Sequence, residues 1–193
     1  MMLVVGMTLV ISTFAFNFNV TLPVLAYATL HTKAEVYGIL SALFGAGALV
    51  GALTAASLGR ASAKVMIAGS LVFTGSELLL APVRSPILAG ALLFVTGAGF
   101  TAWSANANAS MQLAAPDRLR GRIIAIYFYA FNGTGPAAGL LAGWLCERGG
   151  TQLAFVVAGV VGLAGTAAAA VRLRRRPELQ ARGIQVAAKS RAA

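Results

Sequence analysis

Long stretches without a charged residue constrain the fold of this chain more than any other feature. Five such stretches are Met1–His31, Val36–Gly59, Ser85–Pro116, Ile123–Cys146 and Gly149–Val171. Each exceeds the roughly 18 to 20 residues that an α-helix needs to cross the hydrocarbon core of a membrane. A sixth stretch, Val65–Val83, is long enough but contains Glu77. Only 10% of all residues are charged, against roughly a quarter in soluble domains.

These stretches predict an all-α membrane protein with six transmembrane helices. They lack the alternation of barrel strands, and backbone polar groups in lipid must be paired within the segment. The predicted helices are Met2–Leu30, Glu35–Leu58, Lys64–Ala81, Pro86–Leu113, Leu119–Cys146 and Thr151–Val171. We therefore expect a bundle over residues 1–171 and a basic, disordered cytoplasmic tail over residues 172–193.

The basic residues predict the orientation of this bundle. With both termini inside, twelve of the fifteen Lys and Arg residues fall on the inner side, and only Lys33, Arg84 and Arg148 fall outside. Cytoplasmic loops carry such an excess. We expect an integral protein of a bacterial-type plasma membrane with both termini in the cytoplasm. The net charge of +10 then indicates orientation and contact with anionic lipid, with no nucleic-acid partner.

Two sequence patterns recur at nearly the same offset. The spacing GxGxxxG is formed by Gly45, Gly47 and Gly51 and, 88 positions later, by Gly133, Gly135 and Gly139. Asparagine pairs recur 89 positions apart, as Asn17 with Asn19 and as Asn106 with Asn108. Because three helices are an odd number, the second unit enters the membrane in the opposite direction. The sequence thus predicts two inverted three-helix repeats, over about residues 1–83 and 84–171.

The repeated glycines allow helix backbones to approach closely in lipid. Tight packing and a seam that flexes during transport are both consistent with their spacing. Pro136, inside the second glycine pattern, predicts a bend in the fifth helix.

Polar side chains within the helices indicate either a wet cavity or hydrogen bonds between helices. On the fourth helix one polar face is formed by Thr101, Ser104, Asn108 and Gln112, and Asn106 lies opposite. On the first helix Thr13, Asn17 and Thr21 share a face and Asn19 is turned away. The candidates for a substrate cavity are Thr13, Asn17, Asn19, Thr101, Ser104, Asn106, Asn108 and Gln112.

Glu77 is the only acidic residue well inside a predicted helix. It lies about 20 Å from Lys64 along the third helix, where it either reaches the outer interface, pairs locally or takes part in proton coupling. One such acid, one histidine and one cysteine form no paired-carboxylate centre and no metal cluster. Neither GxSxG nor GxxxxGK[ST] occurs. We expect no enzyme activity, no metal and no cofactor.

Four segments carry a resemblance to a known family: FNFNVTLPVLA, a glycine-rich second helix ending in LGR, NANASMQLAAPDRLRGRIIAIY and GTGPAAGLLAGWLCERGG. They resemble the carboxy-terminal half of a major facilitator superfamily transporter, closest to the bacterial drug and siderophore exporter branch. The resemblance implies a secondary transporter that exports a small molecule by alternating access. It also implies a central cavity lined by the first and fourth helices.

The same resemblance implies gating residues on the inner loops. The loop after the second helix, LGRASAK, contributes Arg60 and Lys64 and lacks the usual aspartate. The loop after the fourth helix contributes Asp117, Arg118, Arg120, Gly121 and Arg122. Asp117 is also expected to cap the fifth helix.

Members of that family normally have twelve helices, so the resemblance implies a second six-helix half. A homodimer mate or another chain supplies it, or the chain is a non-transporting fragment or accessory subunit. The Met1-Met2 start, directly in the first helix, favours a fragment or split product.

Overall fold

The structure, a computed structural model, describes residues 2–15, 17–58 and 61–174, and every regular element in these ranges is helical. The elements are α1 (Met2–Phe14), α2 (Phe18–Val24), a π-helical turn (Leu25–Thr29), α3 (Ala34–Ser57), α4 (Ala63–Leu80), α5 (Pro86–Ala114), a 3-10 turn (Asp117–Leu119), α6 (Arg120–Asn132) and α7 (Gly135–Arg174). The predicted tail lies outside the described residues from position 175 onward.

Five segments of the described chain are long and apolar enough to cross a membrane: Val4–Thr29, Ala34–Ser57, Ala63–Leu80, Pro86–Leu113 and Gly121–Leu173. The protein is therefore an integral membrane protein. The last segment has 53 residues, whereas the others have 18 to 28. It leaves helical geometry at Gly149 and Gly150, and the φ of Gly150 is +66°, a conformation that favours glycine. The sequence predicts its division into two helices at this same position.

The first spanning segment is not the continuous helix that the sequence predicts. α1 and α2 are separated by residues 15–17. Asn17 accounts for this break, because its Nδ2 donates to the carbonyl oxygen of Thr13 at 2.9 Å and its backbone N–H donates to Ala15 at 3.0 Å. The side chain occupies the carbonyl that the backbone of a continuing helix would use.

A second break separates α6 from α7 at Gly133 and Thr134. Pro136, for which the sequence predicts a bend in this helix, is the second residue of α7. An N–H at that position has no partner within the helix, so proline costs no hydrogen bond there. The fifth predicted helix is thus interrupted directly before the turn that contains Pro136.

The two breaks lie side by side at one level of the bundle. Before them, Ser12 Oγ donates to the carbonyl oxygen of Ala130 at 2.8 Å. After them, Val20 approaches the position that a Cβ on Gly139 would take, at 3.9 Å. The later residue of α1–α2 contacts the later residue of α6–α7, so the two pairs of helices run parallel. Both are interrupted between these two contacts.

Helix packing divides the bundle into two groups joined by α4. α5 packs against α3 and α4, and α7 packs against α1, α2 and α4. A buried hydroxyl pair connects α4 to each group: Ser70 Oγ lies 2.6 Å from Thr166 Oγ1 on α7, and Ser76 Oγ lies 2.8 Å from Thr96 Oγ1 on α5. Each hydroxyl in these pairs has a hydrogen-bond partner in the protein, which lipid could not supply.

Glycines bring α3 and α5 into backbone contact. Gly47 and Gly51 on α3 face the carbonyls of Phe94 and Ala98, and Gly97 on α5 faces the backbone of α3. A Cβ at any of these three glycines would overlap with the opposite main chain. The pair therefore packs more closely than larger side chains allow.

An aromatic cluster fills the middle of the bundle. Its members come from five helices, namely Phe18, Phe44, Phe73, Phe100, Trp103 and Phe131. Neighbouring ring centroids are 5.0 to 6.4 Å apart, the range of favourable aromatic pairs. Phe73 and Trp103 are fully buried, whereas Phe100 and Phe131 reach the groove described next.

Candidate functional site

An open groove with a volume of about 490 Å³ runs between α5 and α6. One wall carries Ser104, Asn108 and Gln112, which follow each other at intervals of four residues along α5. The other wall is aromatic and includes Tyr127 and Phe128 of α6. A stripe of uncharged polar groups thus faces a stripe of aromatic rings.

Two hydrogen bonds organise this groove. Gln112 Nε2 donates to Asn108 Oδ1, one helical turn away. The hydroxyl of Tyr127 donates to the carbonyl oxygen of Ser104 at 3.4 Å, which joins the two walls. The residues that line the groove within the described chain carry no charge. Such a lining suits a ligand that has apolar surface and a few uncharged polar groups.

The structure brings three residues of the predicted fourth-helix face together in the groove. Thr101 is not among its lining residues and contributes instead a carbonyl oxygen that accepts from Ser104 Oγ at 3.4 Å. The sequence prediction did not include the aromatic wall. The run YFYAF, residues 127–131, was the available signal, because it places aromatic rings on successive positions of one helix.

Asn106 lies on the opposite side of α5 and is 3% exposed. Its Oδ1 accepts from the backbone N–H of Ser62 at 2.9 Å, and its Nδ2 donates to the carbonyl oxygen of Ala102 at 2.8 Å. Asn106 therefore fixes the start of α4 to α5 and does not line the groove. Asn19 is exposed and lines neither the groove nor the crevice described next.

A second, much smaller crevice lies between the break after α1, α4 and α7. It has a volume of about 10 Å³, and its polar lining consists of Thr13, Asn17, Thr21 and Glu77. The predicted polar face of the first helix therefore points into this crevice, while that of the fourth helix points into the groove. The structure places these two sets of candidates at separate sites.

Glu77 is buried inside the bundle, with 1% of its surface exposed. Its side chain does not extend to the outer interface, which the sequence left open. Its Oε2 has no hydrogen-bond partner among the described residues, and neither has Oγ1 of Thr13. Buried polar atoms without a partner are uncommon and costly, so this pair calls for a ligand or a functional role.

The predicted gating residues lie partly outside the described structure. Arg60 and the side chains of Asp117 and Arg120 are among these undescribed parts. Lys64, Arg118, Gly121 and Arg122 are exposed. The residue at the N-cap of α6 is Leu119, and Asp117 begins the preceding 3-10 turn.

The second glycine pattern packs differently from the first. In the described part of the chain, no atom from outside the local helix backbone lies within 4 Å of a Cβ placed on Gly135, and the nearest to one on Gly139 is Val20 at 3.9 Å. The atoms nearest to a Cβ on Gly133 belong to Tyr129 of the same helix. The repeated spacing therefore gives close helix contact in α3 alone.

One family profile, described as the Major Facilitator Superfamily, matches residues 4–192. Searches of curated proteins and of solved structures gave no significant match. The matched range includes all five apolar spanning segments, the groove and the crevice. The chain therefore belongs to the Major Facilitator Superfamily, a family of membrane transporters.

Proposed function

We propose that this protein is a six-helix, carboxy-terminal-type unit of an exporter that moves a small amphiphilic molecule by alternating access. The observation that carries this proposal is the open groove in which the polar stripe of α5 faces the aromatic side chains of α6. A groove open along one side needs an opposite wall to enclose a substrate. We propose that a second six-helix bundle supplies that wall.

The length of the last apolar segment supports six membrane crossings. As a straight helix, 53 residues would extend about 80 Å, whereas the hydrocarbon core is about 30 Å thick. The interruption at Gly149 and Gly150 divides this segment into two parts of spanning length. Spans 1 to 6 are then α1–α2, α3, α4, α5, α6 with the first part of α7, and the second part of α7.

The pairing of these spans supports an inverted repeat. Span 2 packs on span 4, and span 5 packs on span 1 through Ser12 and Ala130. Span 3 packs on span 4, and span 6 packs on span 1 through Gly165 and Val10. Exchanging spans 1 to 3 with spans 4 to 6 converts each pair into the other, as internal symmetry requires.

Dye efflux from proteoliposomes tests the transport function. The chain is reconstituted alone, loaded with ethidium or rhodamine and subjected to a pH gradient. We expect gradient-dependent flux that Asn108→Leu reduces at least about tenfold, since it removes a groove amide. Asn132→Leu is the matched control, because Asn132 is exposed outside the groove and bonds only within its own helix.

Absence of flux from properly inserted protein would favour a non-transporting fragment or accessory subunit. Flux that needs a second, co-reconstituted six-helix chain would identify a split transporter. Flux that Asn108→Leu and Asn132→Leu leave equal would remove the groove from the substrate path.

The basic residues support an orientation with both termini in the cytoplasm of a bacterial-type cell. Single cysteines at Arg118 or Arg84, in a Cys146→Ser background, test it in whole cells. An impermeant maleimide should label the cysteine at position 84 from outside and the one at position 118 only after lysis. The reverse pattern would invert the topology.

We also propose that the loop carrying Asp117 and Arg122 acts as an inner gate whose ion pairs break as the path opens inward. This role rests on the resemblance of that loop to the family's gating loops. Asp117→Asn should slow transport while leaving protein abundance unchanged. Arg148→Gln, on the predicted outer side, is the control, and equal rates in both variants would exclude the gate.

A further inference from the structure

The crevice holds the one carboxyl side chain that lines either cavity, and its Oε2 lacks a hydrogen-bond partner among the described residues. We propose that Glu77, together with Thr13 and Asn17, binds a single sodium ion. The ion would occupy the crevice between the break in the first span, α4 and α7. The proposal concerns binding itself, and the further role as coupling ion rests on the proposed transport function.

The side chains around the crevice offer a set of oxygen ligands. The carboxylate Oε2 of Glu77 and the hydroxyl Oγ1 of Thr13 are buried and have no partner among the described residues. Asn17 uses its Nδ2 to bond Thr13, which leaves its amide oxygen as an acceptor. Thr21 lines the same crevice and donates its proton to a carbonyl, so its oxygen lone pairs stay available. Carboxylate, hydroxyl and amide oxygens are the ligands that hard cations prefer.

Volume and charge both favour one small monovalent ion. A crevice of about 10 Å³ holds about one particle the size of water, and a sodium ion freed of its hydration shell is of that size. One carboxylate with one monovalent cation is electrically neutral. A divalent cation would leave a positive charge buried in hydrocarbon, which is costly. No countercharge comes from the remaining lining, which consists of Phe14, Ala15, Leu141, Ala142, Leu145, Ala154, Phe155 and Ala158.

The location of the crevice connects ion binding to the helix breaks. Thr13 and Asn17 flank the interruption between α1 and α2, and Leu141 lies one to two turns beyond the interruption between α6 and α7. An ion bound by Glu77 and Thr13 would therefore link the continuous helix α4 to the interrupted pair α1–α2. Binding in this place would stabilise one geometry of the break.

Sodium-dependent thermal stability of the purified chain tests the proposal without any transported substrate. Melting is compared in sodium, potassium and choline chloride at equal ionic strength. We expect sodium at about 100 times its Kd to raise the Tm by about 5 to 10 °C, with a smaller shift in potassium. Radiolabelled sodium should bind with a stoichiometry near one per chain.

Variants assign the effect to the crevice. Glu77→Gln and Thr13→Val should each abolish the sodium shift or weaken the apparent affinity at least about tenfold. Thr8→Val is the matched control, because Thr8 is another α1 threonine whose buried hydroxyl has no partner among the described residues, and it does not line the crevice. Glu147→Gln removes an exposed carboxylate as the charge control. If Glu77→Gln does not fold, the sodium shift of Thr13→Val and the binding of radiolabelled sodium to the unmodified protein test the site.

Three results would overturn the sodium site. These are a Tm that does not distinguish sodium from choline, a sodium shift that persists in both crevice variants, and a Tm that depends on pH through Glu77 but not on sodium. The last result would indicate that Glu77 exchanges a proton instead. Sodium binding without dye flux would support the sodium site and count against the transport proposal. Dye flux without sodium binding would support transport and count against the sodium site.

Discussion

Alanine at Gly47 should push α3 away from α5, whereas alanine at Gly45 should not. A Cβ on Gly47 would lie 2.7 Å from the carbonyl carbon of Phe94 and 2.9 Å from its Cα, and closer still to its oxygen. Carbon atoms in contact prefer about 3.5 to 4.0 Å, so the two helices must separate by about 1 Å. Among the described residues, no atom outside the local helix backbone lies within 4 Å of a Cβ on Gly45.

The separation determines the size of the effect. A gap of about 1 Å loses up to about half of the dispersion energy of each contact across it, and overpacking costs about 1 to 3 kcal/mol. At about 2 to 4 °C per kcal/mol for a chain of this length, Gly47→Ala should lower the Tm by about 2 to 12 °C. Gly45→Ala should be neutral or raise stability by up to about 1 kcal/mol, because alanine favours helix more than glycine does.

Thermal unfolding of both variants in the same detergent measures this difference, with tryptophan fluorescence as the readout. Trp103 is buried on α5 against Phe100, whose ring in turn contacts Phe44 of α3, so its fluorescence should report the loss of packing. Equal melting temperatures for Gly47→Ala and Gly45→Ala would refute the reasoning, since the two changes are chemically identical and differ only in what the new methyl group meets.

Further predictions concern hydrogen bonds and the second break. Asn106→Ala should destabilise the protein by about 1 to 3 kcal/mol, because it leaves the N–H of Ser62 without its acceptor; a Tm equal to wild type would contradict this anchor. A double-mutant cycle of Ser70→Ala and Thr166→Val should show a coupling of about 0.6 kcal/mol, and zero coupling would mean that the hydroxyls do not bond in the bilayer. Pro136→Ala should shift the Tm by less than about 2 °C, since the first turn of α7 needs no N–H there; a large shift would mean that the proline itself causes the break before α7.

The sequence alone was sufficient to predict an all-helical membrane protein, because charge exclusion by lipid acts on composition. It did not predict the break between α1 and α2, because Asn17 lies within one long uncharged stretch that predicts a single helix. The break results from a side chain that takes the Thr13 carbonyl, a competition that hydropathy does not measure.

The polar stripe of the groove was predictable because Ser104, Asn108 and Gln112 repeat with the period of one helix face. The separation of the candidates into two sites was not, because a face becomes a cavity wall only when its neighbouring helix stands away from it. Thr13 and Asn17 face a packed crevice beside Glu77, whereas the α5 face meets the open side of α6.

The two glycine patterns show why identical spacing need not give identical packing. Gly47 and Gly51 meet the main chain of Phe94 and Ala98, and Gly97 meets that of Phe44 and Ala48. Both helices therefore present glycines at the contact, and their backbones close on each other. Gly139 meets Val20, whose branched side chain fills the space that a close approach would need. A glycine spacing therefore shows only that one helix allows a close approach of backbones. The partner helix decides whether the backbones touch, so a repeat in sequence becomes a repeat in packing only when the facing residues repeat as well.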